Sequence, residues 1–198
     1  REVIEAVRFG DLERLQELLR DHPEAANPFW PGRDEAPKPI PNDSIPLFMV
    51  CVGISEKTNT KGNARDLVKA LLAAGANPDI EGSMPLNSAA SFNSVEIAEA
   101  LLDGGAKVDG ANDNGSPLAH ALFFGWDVAK LLEKWGAKLD LRMAAGLGRT
   151  DVMSSFFKED DTLKPEANAL NLMWSKAFDF SDAEVLAQAL VNACITNQ

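Results

Sequence analysis

At 198 residues, with 45% hydrophobic and 25% charged side chains, the chain can bury a substantial core and has an ordinary globular composition. Nineteen basic against thirty acidic residues leave a net charge of −11. That field repels phosphate backbones and anionic lipid, so no nucleic acid and no membrane is expected as a partner, and a basic protein surface is mildly favoured. Nowhere does the apolar run of about 18 residues occur that a membrane-spanning helix needs.

The chain opens on Arg1-Glu2-Val3-Ile4-Glu5, without a starting Met or the apolar core of a signal peptide, so its true start is expected to lie outside these residues. A first helical unit is expected over Val3–Asn27, with its second helix at Leu12–Arg20 after Phe9-Gly10-Asp11. Pro23–Pro46 then holds seven of the eleven prolines and reads as an extended loop, pinned by Trp30. A second unit, Ile45–Asp79, carries a polar insertion at Ile54–Asn63 between its two helices. The third, Met84–Asp109, opens on Pro85-Leu86 and continues into a second helix with the apolar stripe Val95, Ile97, Ala98, Leu101 and Leu102. The fourth runs over Ser116–Asp140, and a fifth over Leu141–Phe157 follows Gly136–Asp140 so closely that the turn between them is expected to be missing. Asn168–Phe180 predicts a short extra helix with Leu170, Met173, Trp174 and Phe178 on one side. Near the end, Leu190–Cys194 reads as the first helix of a sixth unit in a cut array, or else Asp182–Asn197 is one capping helix. Cys51 and Cys194 fall too far apart in such a stack for a disulfide, and are expected as buried thiols in a reducing, cytoplasmic setting.

The units repeat one another. Leu-Leu pairs fall at 71, 101 and 131, and Gly-Ala pairs at 75, 105 and 136, where Gly supplies a left-handed helix end. A period in this range means small helical units stacked on one continuous core. The pattern Gly-x-x-Pro-Leu-x-x-Ala-Ala followed by Leu-Leu-x-x-Gly-Ala, best kept at Gly82–Ala106 and Asn114–Ala137, resembles the ankyrin repeat, and the resemblance covers most of the chain. It implies an all-α helical repeat solenoid with short hairpin turns, a single domain over 1–198 of five repeats plus a sixth start or cap. Asn87 and Ala119 stand where the family has His, and Met84 and Ser116 where it has Thr, so the hydrogen bonds that tie family hairpins together are expected to be weaker.

No constellation for chemistry emerges. His120 is expected in a structural hydrogen bond, with no nucleophile placed beside it by a known spacing. Asp109-Gly110-Ala111-Asn112-Asp113 departs from a calcium loop at Ala111 and lacks its closing Glu. No Cys/His set has zinc spacing and no Gly-rich loop carries a phosphate-binding Lys, so no catalytic residue, metal or cofactor is expected.

The resemblance implies a protein-binding module, used as a monomer, whose concave face combines hairpin tips with the ends of the first helices. Those ends place Phe9, Ser91, Phe92, Phe123, Phe124 and Leu147 in a row, with Ser83, Met84, Asp113 and Asn114 as a polar rim. The rings either form an exposed binding patch or fill gaps between layers. Two other functions remain open: a regulatory or targeting segment of a larger enzyme or effector, and self-association through the C-terminal end.

Overall fold

A computed structural model describes residues 1–28, 40–111, 116–124, 126–169 and 180–197, and among these the chain is helical. Helices come in pairs: α1 (Glu2–Arg8) with α2 (Leu12–Asp21), α3 (Pro46–Ser55) with α4 (Ala64–Ala73), and α5 (Ile80–Ser91) with α6 (Val95–Asp103). Then follow α7 (Pro117–Phe124) with α8 (Trp126–Lys134), the short pair α9 (Leu141–Gly146) and α10 (Thr150–Met153), and a long α11 (Asp182–Thr196). The first helices of successive pairs pack on one another as an inner layer, and α2, α4, α6 and α8 do the same as an outer layer.

The two layers differ in sequence because they differ in burial. Outer helices are amphipathic: Leu67, Val68 and Leu71 of α4, Ile97, Ala98 and Leu101 of α6, and Val128, Ala129 and Leu132 of α8 are buried at one spacing, i, i+1, i+4. In each, the buried Leu lies four residues before the Gly of the Gly-Ala pair, at Gly75, Gly105 and Gly136. Inner helices are enclosed by both neighbours and by their own outer helix. Hence Leu86, Leu118 and Leu141 are fully buried, and Ala89, Ala90, Ala144 and Ala145 allow close approach. One core runs from Val3 to Met143, and a second, around Leu141, Phe156, Leu163 and Val185, joins α9 to α11.

Successive units are also tied along one edge. Asn27 accepts from the Asn77 N–H at 2.8 Å and donates to the Gly75 carbonyl at 2.8 Å. Asp79 accepts from Lys107 N–H at 3.0 Å, and Asp109 from Lys138 N–H at 2.7 Å. This ladder of short side chains does what the absent family His and Thr were expected to leave undone. Its signal was in the sequence, as a recurring Gly-Ala-x-x-Asp at Asp79, Asp109 and Asp140.

Asp140 breaks the series. The connection is short here, as expected, and Asp140 turns inward to cap α9, accepting from Met143 N–H at 3.0 Å. It also accepts from Arg142 Nε at 3.0 Å and Nη2 at 2.5 Å, in an ion pair essentially sealed from solvent. Arg142 in turn donates to Gln188 of α11 at 3.2 Å and lies 5.6 Å from the Phe180 ring centre, while Asn192 donates to the Arg142 carbonyl.

The polar insertion of the second unit has a built role. After α3 the segment 56–63 folds back on the α1–α2 turn, where Thr58 donates to the Arg8 carbonyl at 2.9 Å and Asn63 to the Gly10 carbonyl at 2.9 Å. Arg8 pairs with Glu56 at 2.5 Å, and Asn59 is buried against Gly10.

Four expectations need correction. Ser83 is buried: Glu81, Gly82 and Ser83 form a left-handed turn ahead of the regular part of α5, and the Ser83 hydroxyl donates inward to Asp79 at 2.8 Å. Cys194 is exposed rather than buried, because nothing among the described residues packs on its side of α11. Of the two readings of the C-terminal end, a helix starting at Leu190 gives way to the other, one helix: α11 runs over Asp182–Thr196, begun by Ser181 with a capping box closed by Glu184 and ended at Asn197. The loop Pro23–Pro46 is not extended throughout, for Pro23–Ala26 and Asn42–Ser44 are short 3-10 turns. Trp30, Asp113, Asn114 and most of the helix expected over Asn168–Phe180, with Leu170, Met173, Trp174 and Phe178, lie outside the described residues.

Candidate partner-binding face

Three inner helices, α1, α5 and α9, end in a residue of right-handed conformation at the turn. These are Phe9 after α1, Phe92 after α5 and Leu147 after α9. Phe123 and Phe124 close α7. Because these positions lie at or just past the ends of their helices, the neighbouring inner helices leave them at least partly uncovered. Phe9 is 53% exposed, Phe92 46%, Phe123 41% and Phe124 55%, among the most exposed large apolar side chains described.

The row is not continuous. Phe92 and the Phe123–Phe124 pair stand on adjacent helices, and the latter two rings lie 6.3 Å apart, tilted by 47°. Ser91 is half-buried beside them, its hydroxyl 3.0 Å from His120 Nδ1 across the repeat boundary. Leu147 is half-buried, and so is Met84, on the first regular turn of α5. Phe9 stands apart. Between it and Phe92 lies the second unit, where the residue that follows α3 is Glu56, and the position seven residues after the helix-starting proline, which is Phe92 in α5 and Phe124 in α7, is Gly53, buried inside α3. A Cβ there would sit 2.6 Å from the Arg8 carbonyl oxygen, so no ring fits. Phe9 instead lines a cleft of about 860 Å³ with Ile4, Glu5, Arg8, Pro46 and Met49.

Charge around the rings is arranged in pairs. Beside Phe92, the Asn93 side chain accepts from the Asp127 and Val128 N–H groups at 3.1 and 3.2 Å and donates to the Asp127 carboxylate at 3.0 Å. Beyond Leu147, Arg149 is clamped by Asp151 at 2.7 Å and Glu133 at 2.5 Å. Hydrogen bonds from Arg149 hold the Asp151 carboxyl below its ordinary range. The neighbourhood therefore offers rings and carboxylates, with its arginines already engaged. Among the described residues no cluster of three metal-ligating side chains occurs, and no helix is long and apolar enough to cross a membrane.

Paired helices on a common core, with a Gly-Ala end to each outer helix, match a known pattern. Residues 55–143 fit the family profile for ankyrin repeats, in three copies. The helical architecture agrees with an all-α ankyrin solenoid, and the first pair, α1 and α2, stacks on α3 and α4 in the same two layers ahead of the matched segment. No curated protein matches the chain. Ankyrin repeats are in general protein–protein interaction modules, and typically non-catalytic.

The residues that keep this face in shape, Asn27, Asp79, Asp109 and Asn93, were missing from the sequence reading. Asp79 and Asp109 were visible as a repeat-locked Asp. Nothing in the sequence marked Asn93, whose partner Asp127 lies 34 residues away.

Proposed function

We propose that the ankyrin array binds a protein partner on the surface around Phe92, Phe123 and Phe124, using Ser91, Met84 and Leu147 at its margins. The observation that carries this is the exposure of three phenylalanines on two adjacent helices, in a protein that buries its other apolar positions there. Exposed aromatics of this kind anchor interfaces because each ring buries a large area at little conformational cost. Asp113 and Asn114, which precede α7 in the sequence and lie outside the described residues, are proposed contributors to the rim. The preferred partner carries a basic segment: the chain has a net charge of −11, and arginine or lysine side chains gain from both ring faces and carboxylates. Phe9 and its cleft form a separate subsite.

The test is capture of partners from a source lysate by wild type and by the folded double variant Phe92→Asp/Phe124→Asp, identified by mass spectrometry. The proposal requires a protein retained by wild type and lost by the variant, with binding weakened by raised salt. Equal retention by both refutes the assignment of this face.

A further inference from the structure

The C-terminal end of α11 repeats the geometry by which inner helices hand the chain to outer ones. After α1, α5 and α9 the chain passes through a left-handed residue, Gly10 (φ 68°), Asn93 (φ 51°) and Gly148 (φ 69°). Its N–H donates to a carbonyl three residues back, on Val7, Ala90 and Ala145 respectively. α11 closes in the same way: Asn197 has φ 59° and donates to the Cys194 carbonyl at 3.3 Å. This shared bond fixes a register. Cys194 takes the place of Val7, Ala90 and Ala145, and Leu190 that of Val3, Leu86 and Leu141.

Those six residues are buried, none more than 7% exposed, Val3, Val7, Leu86 and Ala90 in the core that inner and outer helices share and Leu141 and Ala145 in the second core, whereas Leu190 is 67% exposed and Cys194 is exposed. Leu186, Val191 and Ile195 extend the open surface. Past Glu184 no residue of α11 is charged, although the chain as a whole is strongly acidic. The opposite side, with Val185, Ala189 and Asn192, is buried, packed against α9. A helix whose outer side faced water would carry charge there.

We infer that α11 is an inner helix and that its exposed face receives an amphipathic helix of the outer type. Continuity with the interface already built four times over, by α2, α4, α6 and α8 on their inner partners, identifies this occupant. It is a helix the length of α6 or α4, nine or ten residues, with apolar side chains spaced as Ile97, Ala98 and Leu101 are. A second copy of α11 would present the wrong surface, an inner-type face against an inner-type face. The surface is distinct from the aromatic one and does not depend on that proposal.

The chain supplies its own probe. Cys51 is fully buried and burial pushes its thiol up to about 12, so maleimide alkylation of the native protein reads Cys194. A copy of Ser94–Ala106 joined directly after Asn197 should fold onto α11 through the turn that Asn93 and Ser94 make. Alkylation of Cys194 should then slow by about tenfold or more, and Tm should rise by about 4 °C. A copy carrying Ile97→Ser and Leu101→Ser should give neither effect. Leu190→Glu in the extended chain, at an exposed position that the rest of the fold does not need, should restore fast alkylation. Equal alkylation with and without the intact copy overturns the inference. So does an unextended chain whose mass rises with concentration to twice 21.4 kDa while Cys194 becomes protected, because the face then belongs to a second copy.

Discussion

Replacing Asp140 by Ala should be among the most damaging single changes in this protein. The carboxylate is fully buried and does three jobs: it caps α9 through Met143 N–H, and accepts two hydrogen bonds from Arg142, itself 1% exposed. Losing the cap costs about 1 kcal/mol. Removing one partner of a buried ion pair costs about 3–5 kcal/mol, because the remaining guanidinium stays out of water without its counter-charge. Gln188 and the Phe180 ring, which also meet Arg142, carry no charge that could replace the carboxylate. The expected loss is about 4 kcal/mol, a large part of the roughly 5–15 kcal/mol typical of a domain. Urea unfolding followed by far-UV circular dichroism measures it. Arg142→Met should cost less, since the Asp140 carboxylate keeps the Met143 N–H. The Asp140→Ala/Arg142→Met double variant should recover part of the Asp140→Ala loss, since no guanidinium is then buried without the Asp140 carboxylate. A loss under about 1 kcal/mol for Asp140→Ala, or strict additivity in the double variant, would refute the view that this pair is the charge-compensated joint between α9 and α11.

Gly10→Ala should destabilise by about 2 kcal/mol or more, since φ there is 68° and a Cβ would lie 2.2 Å from Asn59 Oδ1; the paired variant Gly10→Ala/Asn59→Ala, read by thermal melting, should regain the part due to the clash but not the backbone strain. Acid should weaken the fold in a defined window. Hydrogen bonds from Arg65 to Glu99, from Arg149 to Asp151 and from Ser181 to Glu184 hold these three carboxyls below their ordinary range. Folded values below unfolded ones mean that their contribution is present above about pH 4–5 and is lost as pH falls through the folded values. Tm should therefore hold between pH 7 and pH 5 and drop below pH 4; a flat profile down to pH 3 would contradict these assignments.

Much of this protein is decided locally and was readable in its residues. Pro46, Pro85 and Pro117 start inner helices because a first-turn proline lacks only an N–H that would be unbonded anyway, and Gly75, Gly105 and Gly136 end outer helices because the left-handed conformation there suits glycine. Those signals, repeated at one period, carry the two-layer stack. The candidate row of Phe92, Phe123 and Phe124 followed from counting along that period, and its rings are exposed because they fall at or just past the ends of their helices. What the period could not supply is whatever depends on a neighbour distant in sequence. Ser83 was expected at a rim, but only the fold brings Asp79 and Lys107 together to hold its turn inward. Asp140 looks like Asp79 and Asp109 in the sequence; with the next hairpin absent it has no N–H across the boundary to accept from, so it turns into the core and pairs with Arg142. Cys194 reads as a buried thiol from the sequence, but burial belongs to a pair of surfaces. Helix type and repeat were set by the chain's own residues; which of the resulting faces is covered was decided only by the tertiary structure, because a side chain is removed from water by its neighbours.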